Sequence, residues 1–312
     1  MNILCPNPES FSLSGLDFCK RKAFLEAVEM TQSEVELHAR KYDAVLIRFN
    51  TRINNRIINS KSKVKYVISP TTGLDHIDMN LADKFGVKVF HLRNEKQFLK
   101  TVSGTAELTI GIMISLLRNI HTSFDSVKSG FWDVSKFRGH ELIDKTIGII
   151  GYGRLGQMVA DVCRAFRMKV TVYDPYIKEK PEGVKVYSDI GDILTKSDII
   201  SVHVPLNQDT KYMISRREFI KMKNTSIIIN TSRGAIIDND ALLQALESNE
   251  IAGAALDVIE NEHDFLGKSH PLIAYSKKNK NLLITPHIGG ATYESVEKTD
   301  LFLLKKFFKD YD

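Results

Sequence analysis

The chain has 312 residues, 43% hydrophobic and 26% charged, an ordinary globular balance with enough length for two domains. No apolar run approaches the roughly 18 residues that span a bilayer, and the start Met1-Asn2-Ile3-Leu4-Cys5-Pro6 lacks a signal peptide's basic head and apolar core, so a cytoplasmic protein without a membrane partner is expected. The net charge of +5 is spread among acids and requires no nucleic-acid partner, while Cys5, Cys19 and Cys163 show no metal-ligand spacing and suit reduced thiols.

In chain order, strand-like runs fall at residues 2–5, 42–49, 64–69 and 87–90, with helical patterns between them at 18–29, 53–60 and 79–85. Strands alternating with helices predict a parallel sheet covered on both faces, a small α/β domain in its own right. Its strand ends are binding positions, because open parallel sheets present ligands there; Arg48 closes one strand and Ser69-Pro70-Thr71-Thr72-Gly73-Leu74-Asp75 follows another. Residues 91–102 read as a loop or short helix. The helix at 108–117 is apolar all round, which predicts burial between domains or subunits.

Next comes Thr146-Ile147-Gly148-Ile149-Ile150-Gly151-Tyr152-Gly153-Arg154-Leu155-Gly156, a strand, a G-x-G-x-x-G turn and then an amphipathic helix to Phe166. Gly151 allows the sharp turn, Gly153 a close diphosphate, and Gly156 tight helix–strand packing, with the helix N–H groups facing an anion. The following strand, 170–173, ends at Asp174, placed to accept from a ribose 2′-OH and repel a 2′-phosphate, so NAD is favoured over NADP. Further strands at 198–203, 226–230, 251–257 and 282–285, with helices at 215–222 and 239–248, complete a doubly wound nucleotide-binding pattern.

Each later strand ends in a polar or special group. Arg233, between Ser232 and Gly234, suits bidentate pairing with a carboxylate in an interdomain cleft. His287, between Pro286 and Ile288-Gly289-Gly290, suits proton exchange near neutral pH, and Glu262 is a carboxylate able to orient an imidazole and raise its pKa. A dinucleotide domain with these groups suggests hydride transfer.

Together these motifs make the chain resemble the D-isomer-specific 2-hydroxyacid dehydrogenase family, in the branch of phosphoglycerate dehydrogenase, glyoxylate reductase and D-lactate dehydrogenase. The carriers are the Gly151–Gly156 turn, Asn230-Thr231-Ser232-Arg233-Gly234, Asp257-Val258 with Glu262, Thr285-Pro286-His287-Ile288-Gly289-Gly290, and Thr72-Gly73-Leu74-Asp75-His76-Ile77-Asp78. The resemblance covers nearly the whole chain. It implies two doubly wound parallel-sheet domains: a Rossmann NAD-binding domain at 103–290, inserted into a flavodoxin-like substrate domain made of 1–102 and 291–312. It further implies that a 2-keto or D-2-hydroxy acid is interconverted, with Arg233 binding its carboxylate, His287 as acid/base and Glu262 as partner. Thr72, Gly73 and Leu74 would add backbone N–H groups to the carboxylate, and Arg48 matches a position that reaches substrate. Gly151, Gly153, Arg154, Leu155, Gly156, Asp174, Pro205, Thr210, Thr231, Asp257 and Gly290 would line NAD, Asp257 near the nicotinamide amide. No metal is implied, and a homodimer is, with the helix at 108–117 as a contact.

Three departures bear on substrate identity: His263 stands where many members carry proline, the segment from Leu92 to Ser103 is longer than usual, and Ser69-Pro70 replaces an arginine-containing lead. The end at Asp312 leads to the expectation of a short form without regulatory domains. Some relatives of the fold are NAD-sensing corepressors, an alternative that turnover on keto acids would separate.

Overall fold

The computed structural model describes residues 1–179, 181–262 and 270–311. The chain forms two compact units, Met1–Val102 with Ala291–Asp312, and Ser103–Gly290. The first holds strands β1 (Asn2–Cys5), β2 (Phe24–Ala27), β3 (Ala44–Leu46), β4 (Tyr66–Ser69) and β5 (Lys88–His91), all parallel in the order β2-β1-β3-β4-β5. Helices α1 (Leu13–Lys22), α2 (Gln32–His38), α3 (Met79–Lys84) and α4 (Lys96–Leu99) connect them. Polar residues start these helices. Ser12 accepts from Gly15 N, Asp78 accepts from Leu81 N, and Thr31 with Glu34 forms a reciprocal capping box, supplying acceptors for N–H groups that have none inside the helix.

Two sequence expectations are corrected in this unit. The helical pattern at 18–29 is divided: the helix stops at Lys22, and Phe24–Ala27 forms the edge strand β2, for which its apolar side chains serve equally well. The pattern at 53–60 is not a helix but a series of turns with a single bridge from Ile53 to Ile77. Its isoleucines, Ile53, Ile57 and Ile58, are buried as a helical face would be. However, the side-chain oxygens of Asn54 and Asn59 take Arg56 N at 2.9 Å and Lys61 N at 3.0 Å, local turns that compete with helical pairing, and the Asn54 carbonyl closes one turn with Ile57 N and Ile58 N that does not continue into a helix.

The second unit begins with α5 (Gly104–Leu117) and α6 (Ile120–Lys128), followed by β6 (Thr146–Ile150), α7 (Arg154–Ala165), β7 (Lys169–Tyr173), β8 (Lys185–Tyr187), α8 (Ile190–Lys196), β9 (Ile199–Val202), α9 (Arg216–Lys221), β10 (Ile227–Asn230), α10 (Asn239–Glu247), β11 (Gly253–Leu256), α11 (Pro271–Ser276) and β12 (Leu282–Ile284). Its seven strands are parallel in the order β12-β11-β10-β9-β6-β7-β8, so the chain builds outward from β6 to β8, reverses, and continues from β9 to β12. Strands β9, β10 and β11 are buried along their whole length, as continuous apolar strands covered on both faces must be. On one face α5 contributes Ala106, Ile112, Met113, Leu116 and Leu117 to a core with Ile147, Ile149 and Val159. Its all-round apolarity is therefore used largely inside its own unit.

The last helix, α12 (Tyr293–Tyr311), returns to the first unit and buries Leu303, Leu304, Phe307 and Phe308 in a core with Ile3, Leu46 and Ile68. The fully buried Phe307 ring lies 4.9 Å from that of Phe90 and 5.5 Å from that of Tyr66, both edge-to-face. Phe307→Ala is expected to destabilise the protein by about 3–5 kcal/mol, the range for truncating a buried phenylalanine. A urea-midpoint shift equivalent to less than about 1 kcal/mol would show that α12 is dispensable to this core.

Candidate active site

The glycine-rich turn follows β6. Gly151 has a φ of +92°, and a Cβ there would lie 2.6 Å from the His203 carbonyl oxygen, so a side chain is excluded both by conformation and by space. A Cβ on Gly156 would meet the Gly151 carbonyl oxygen at 2.2 Å. Gly153 is different: a Cβ there would meet no protein atom within 4 Å, and the residue is the N-cap of α7 without a side-chain cap among the described residues. Open space at a helix N-terminus suits a bound diphosphate. Asp174 stands beside this turn, accepting from Tyr152 N at 2.7 Å on one oxygen and from Tyr176 N at 2.8 Å on the other. Both bonds fix the carboxylate plane and leave lone pairs for ribose hydroxyls. Arg154 and Leu155 are half-buried in the first turn of α7, and burial lowers the Arg154 guanidinium pKa. These groups fit a dinucleotide.

The ends of the other strands are braced by their own side chains. After β9, Thr210 donates to the Pro205 carbonyl at 2.6 Å and accepts from Asn207 N at 2.9 Å. After β10, the Thr109 hydroxyl donates to Thr105 O at 2.7 Å, so the Thr231 hydroxyl donates to Thr109 Oγ1 at 2.8 Å and is engaged with α5. The Asn230 side chain donates to Arg233 O at 2.9 Å and accepts from Ser232 N at 3.0 Å, closing a turn that sets the half-buried Arg233; Arg233 Nη1 donates to Ser232 O at 2.8 Å. Gly234 makes this turn possible, since a Cβ would lie 2.1 Å from the Ile259 carbonyl carbon.

The most heavily tethered segment carries His287. Asp257, 1% exposed, accepts from Thr285 Oγ1 at 2.6 Å, Ile288 N at 2.9 Å and Gly289 N at 2.7 Å. His287 N also donates to Asp257 O at 2.8 Å. His287 itself has a φ of +54°, a left-handed conformation uncommon for a residue with a side chain. Burial raises the Asp257 carboxyl pKa, and the bonds from Thr285, Ile288 N and Gly289 N pull against that rise. The His287 Nδ1 edge meets Glu262 Oε1 at 2.5 Å, with the two side chains 22% and 20% exposed. Nδ1–H therefore donates to a carboxylate, and proton exchange falls to the Nε2 edge. Gly290 has open space around its Cβ position. His263 lies outside the described residues.

In the first unit Arg48 is already engaged. Its Nη2 lies 2.6 Å from Asp300 Oδ1 and 3.1 Å from Thr299 Oγ1, and its Nη1 donates to the Pro70 carbonyl at 3.5 Å. Asp300 is fully buried and also accepts from Ser12 N at 2.7 Å and Ser12 Oγ at 2.9 Å. Next to Pro70 is the loop of Thr72, Gly73 and Leu74, whose N–H groups have no acceptor among the described residues. Three consecutive amides without a protein acceptor suit an oxyanion. The roles of Thr109 and Thr285 as braces were not readable in advance, because each depends on a partner distant in sequence.

Chains related to this one were found by comparison. Residues 110–289 match the family described as D-isomer specific 2-hydroxyacid dehydrogenase, NAD binding domain. The chain is 36% identical over 272 residues to the D-3-phosphoglycerate dehydrogenase of Methanocaldococcus jannaschii, covering 86% of this chain and 50% of that protein. It is 35% identical over 268 residues to the hydroxypyruvate reductase of Thermotoga maritima, covering 86% and 84%. It superposes on the D-lactate dehydrogenase of Aquifex aeolicus complexed with NAD and lactic acid with a TM-score of 0.83 and 28% identity, over 99% of this chain and 96% of that one. This chain thus spans about half the length of the phosphoglycerate dehydrogenases it matches.

One further histidine lies against the glycine turn. His203 follows β9, its Nε2 is 2.8 Å from Ser201 Oγ, and burial lowers its pKa from 6.5 to about 4. A folded-state pKa below the unfolded value means that the unfolded chain binds the proton first. The stability His203 contributes is therefore complete above about pH 6.5 and is lost as pH falls toward 4. Urea midpoints at pH 7 and pH 4.5 should differ less in His203→Gln than in the unmodified protein; an equal difference would place the acid sensitivity elsewhere.

Proposed function

The chain belongs to the D-isomer-specific 2-hydroxyacid dehydrogenase family, with that family's NAD-binding domain at residues 110–289, and on this premise we propose that it interconverts a 2-keto acid and a D-2-hydroxy acid. The observation that carries the reading is the 2.5 Å pairing of His287 Nδ1 with Glu262, on a turn that Asp257 holds in a left-handed conformation. When bound, reduced nicotinamide supplies the hydride to C2. His287, held by Glu262, gives the proton to the developing alkoxide and takes it back in the reverse direction. Arg233 takes the substrate carboxylate and steadies the negative charge forming beside it, and the open amides of Thr72, Gly73 and Leu74 take carboxylate oxygens. Asp174 sets the preference for NAD. The unit of residues 103–290 is thus the cofactor domain and the remainder the substrate domain.

Asp257 and Thr231 act on the cofactor side mainly by holding the turns that carry His287 and Arg233, since their side-chain acceptors and hydroxyl are used internally. Arg48 acts through Pro70, bracing the amide loop from behind. The three cysteines are buried and free, which suits a reducing compartment and supports a cytoplasmic location.

NADH oxidation against glyoxylate, pyruvate, hydroxypyruvate, 2-ketoglutarate and phosphohydroxypyruvate tests the activity and identifies the acid. Turnover with NADH is expected, and far less with NADPH. His287→Ala should lower kcat by about 10²–10⁴-fold while leaving NADH affinity within about twofold. Tight NADH binding without turnover on any acid would overturn the dehydrogenase reading.

The homodimer is proposed on a different surface from α5. Ile120, Phe124 and Val127 form an exposed helical stripe on α6, 49%, 62% and 51% exposed, continued by the exposed Phe131, Trp132 and Val134. An apolar stripe of this kind is left for a second copy of the chain. Light scattering should give twice the chain mass, and Phe124→Glu with Val127→Lys should bring it to one chain. An unchanged dimer would exclude this face.

A further inference from the structure

We propose that Thr71, held by Ser69 and His76, is a positioning residue that sets the substrate-carboxylate loop by fixing its carbonyls; this rests on the reading of Thr72, Gly73 and Leu74 as the carboxylate site. The argument starts from peptide geometry. In a trans peptide the C=O of one residue and the N–H of the next point in opposite directions, so anchoring the carbonyl aims the amide. Among the described residues no peptide is cis. Thr71 O accepts from Leu92 N at 3.0 Å, Thr72 O from Arg93 Nε at 3.3 Å, and Gly73 O from Thr71 Oγ1 at 2.9 Å. Three successive carbonyls are anchored on the protein, and the N–H groups they aim, on Thr72, Gly73 and Leu74, are the three that find no acceptor among the described residues.

Two of the anchors are a main-chain amide and an exposed arginine. The third is the end of a buried chain of polar groups. Ser69, Thr71 and His76 are 0%, 4% and 7% exposed, with Ser69 Oγ 2.9 Å from Thr71 Oγ1 and 3.1 Å from His76 Nε2. Counting hydrogens gives the chain a direction. The single Thr71 hydroxyl hydrogen goes to Gly73 O, so Thr71 Oγ1 must accept from Ser69, and Ser69 Oγ must in turn accept from His76 Nε2–H. His76 lies two residues beyond the loop and Ser69 three before it, so the relay closes across the loop's base. Ser69 is turned wholly inward to serve this chain. The loop's shape is thereby made independent of whether a carboxylate is present, which is preorganisation of an anion site.

The test compares Thr71→Val, Thr71→Ser and Gly73→Pro, the last deleting one of the amides, with thermal melting as the check on folding. The readouts are KM and kcat for the best keto acid of the panel, the affinity of the NADH-loaded protein for oxamate by calorimetry, and NADH affinity. Thr71→Val should raise KM and weaken oxamate by about tenfold, with kcat and NADH affinity changed less than about twofold, and Thr71→Ser should recover most of the loss. If Gly73→Pro weakens oxamate and Thr71→Val does not, the loop holds the carboxylate but the relay does not set it, and the proposal is overturned. If neither variant affects oxamate, the carboxylate reading of the loop fails and the proposal with it. Equal losses of kcat, NADH affinity and oxamate affinity in Thr71→Val, unrescued by Thr71→Ser, would mark a general structural defect and also overturn it.

Discussion

The carboxylate of Asp257 is the constraint on which the arrangement of the candidate site depends. It is almost completely buried at the end of β11, and its two oxygens gather a hydroxyl and two successive amides from the segment after β12. A left-handed histidine costs on the order of 1 kcal/mol or more relative to ordinary backbone, and it persists only where its surroundings over-determine it. Asp257 supplies that determination. The imidazole then projects where Glu262 can meet its Nδ1 edge, so the His287–Glu262 pair is a product of strand pairing between β11 and β12 rather than of either segment alone.

The same logic recurs at each strand end. Where the strands stop, the main chain of the turns that follow is held by short polar side chains, Thr210 after β9, Asn230 at the end of β10, Asp257 after β11. Each such side chain holds a turn, and each turn presents a group with chemical use. Glycine enters where turns must touch: Gly151 against His203 and Gly234 against Ile259 leave no space for a Cβ. Gly153, at the N-terminus of α7, differs from these in that a Cβ there would meet no protein atom within 4 Å.

How much of this was legible in the sequence depended on whether the determining contacts are local. The glycine turn, the alternating strands and helices, and the polar strand ends are set by neighbours a few residues apart, and they can be read directly. The edge strand β2 could not be separated from α1, because Phe24, Leu25 and Ala27 satisfy either period and only pairing with β1 decides. The helix expected at 53–60 failed because Asn54 and Asn59 offer the backbone nearer acceptors than a helix does, an effect that apolar periodicity hides. Short elements such as β8 and α8 carry too few residues for any period to register. Arg48 shows the limit for site residues. Its position at a strand end was readable, but its partner Asp300 lies 252 positions away, so the ion pair between them was not.

That ion pair has an energetic rationale. A buried arginine–carboxylate pair contributes little net stability, because desolvation offsets most of the attraction, whereas removing one partner leaves an uncompensated charge. Its value is specificity of arrangement. Asp300 rides on α12, Arg48 follows β3, and Arg48 Nη1 reaches Pro70 at the base of the amide loop. Misplacement of α12 would therefore leave Asp300 buried without its partner, a cost that favours the observed register over one shifted along the helix. The turn at Pro70, from which the loop of Thr72, Gly73 and Leu74 follows, is consequently tied through Arg48 to α12.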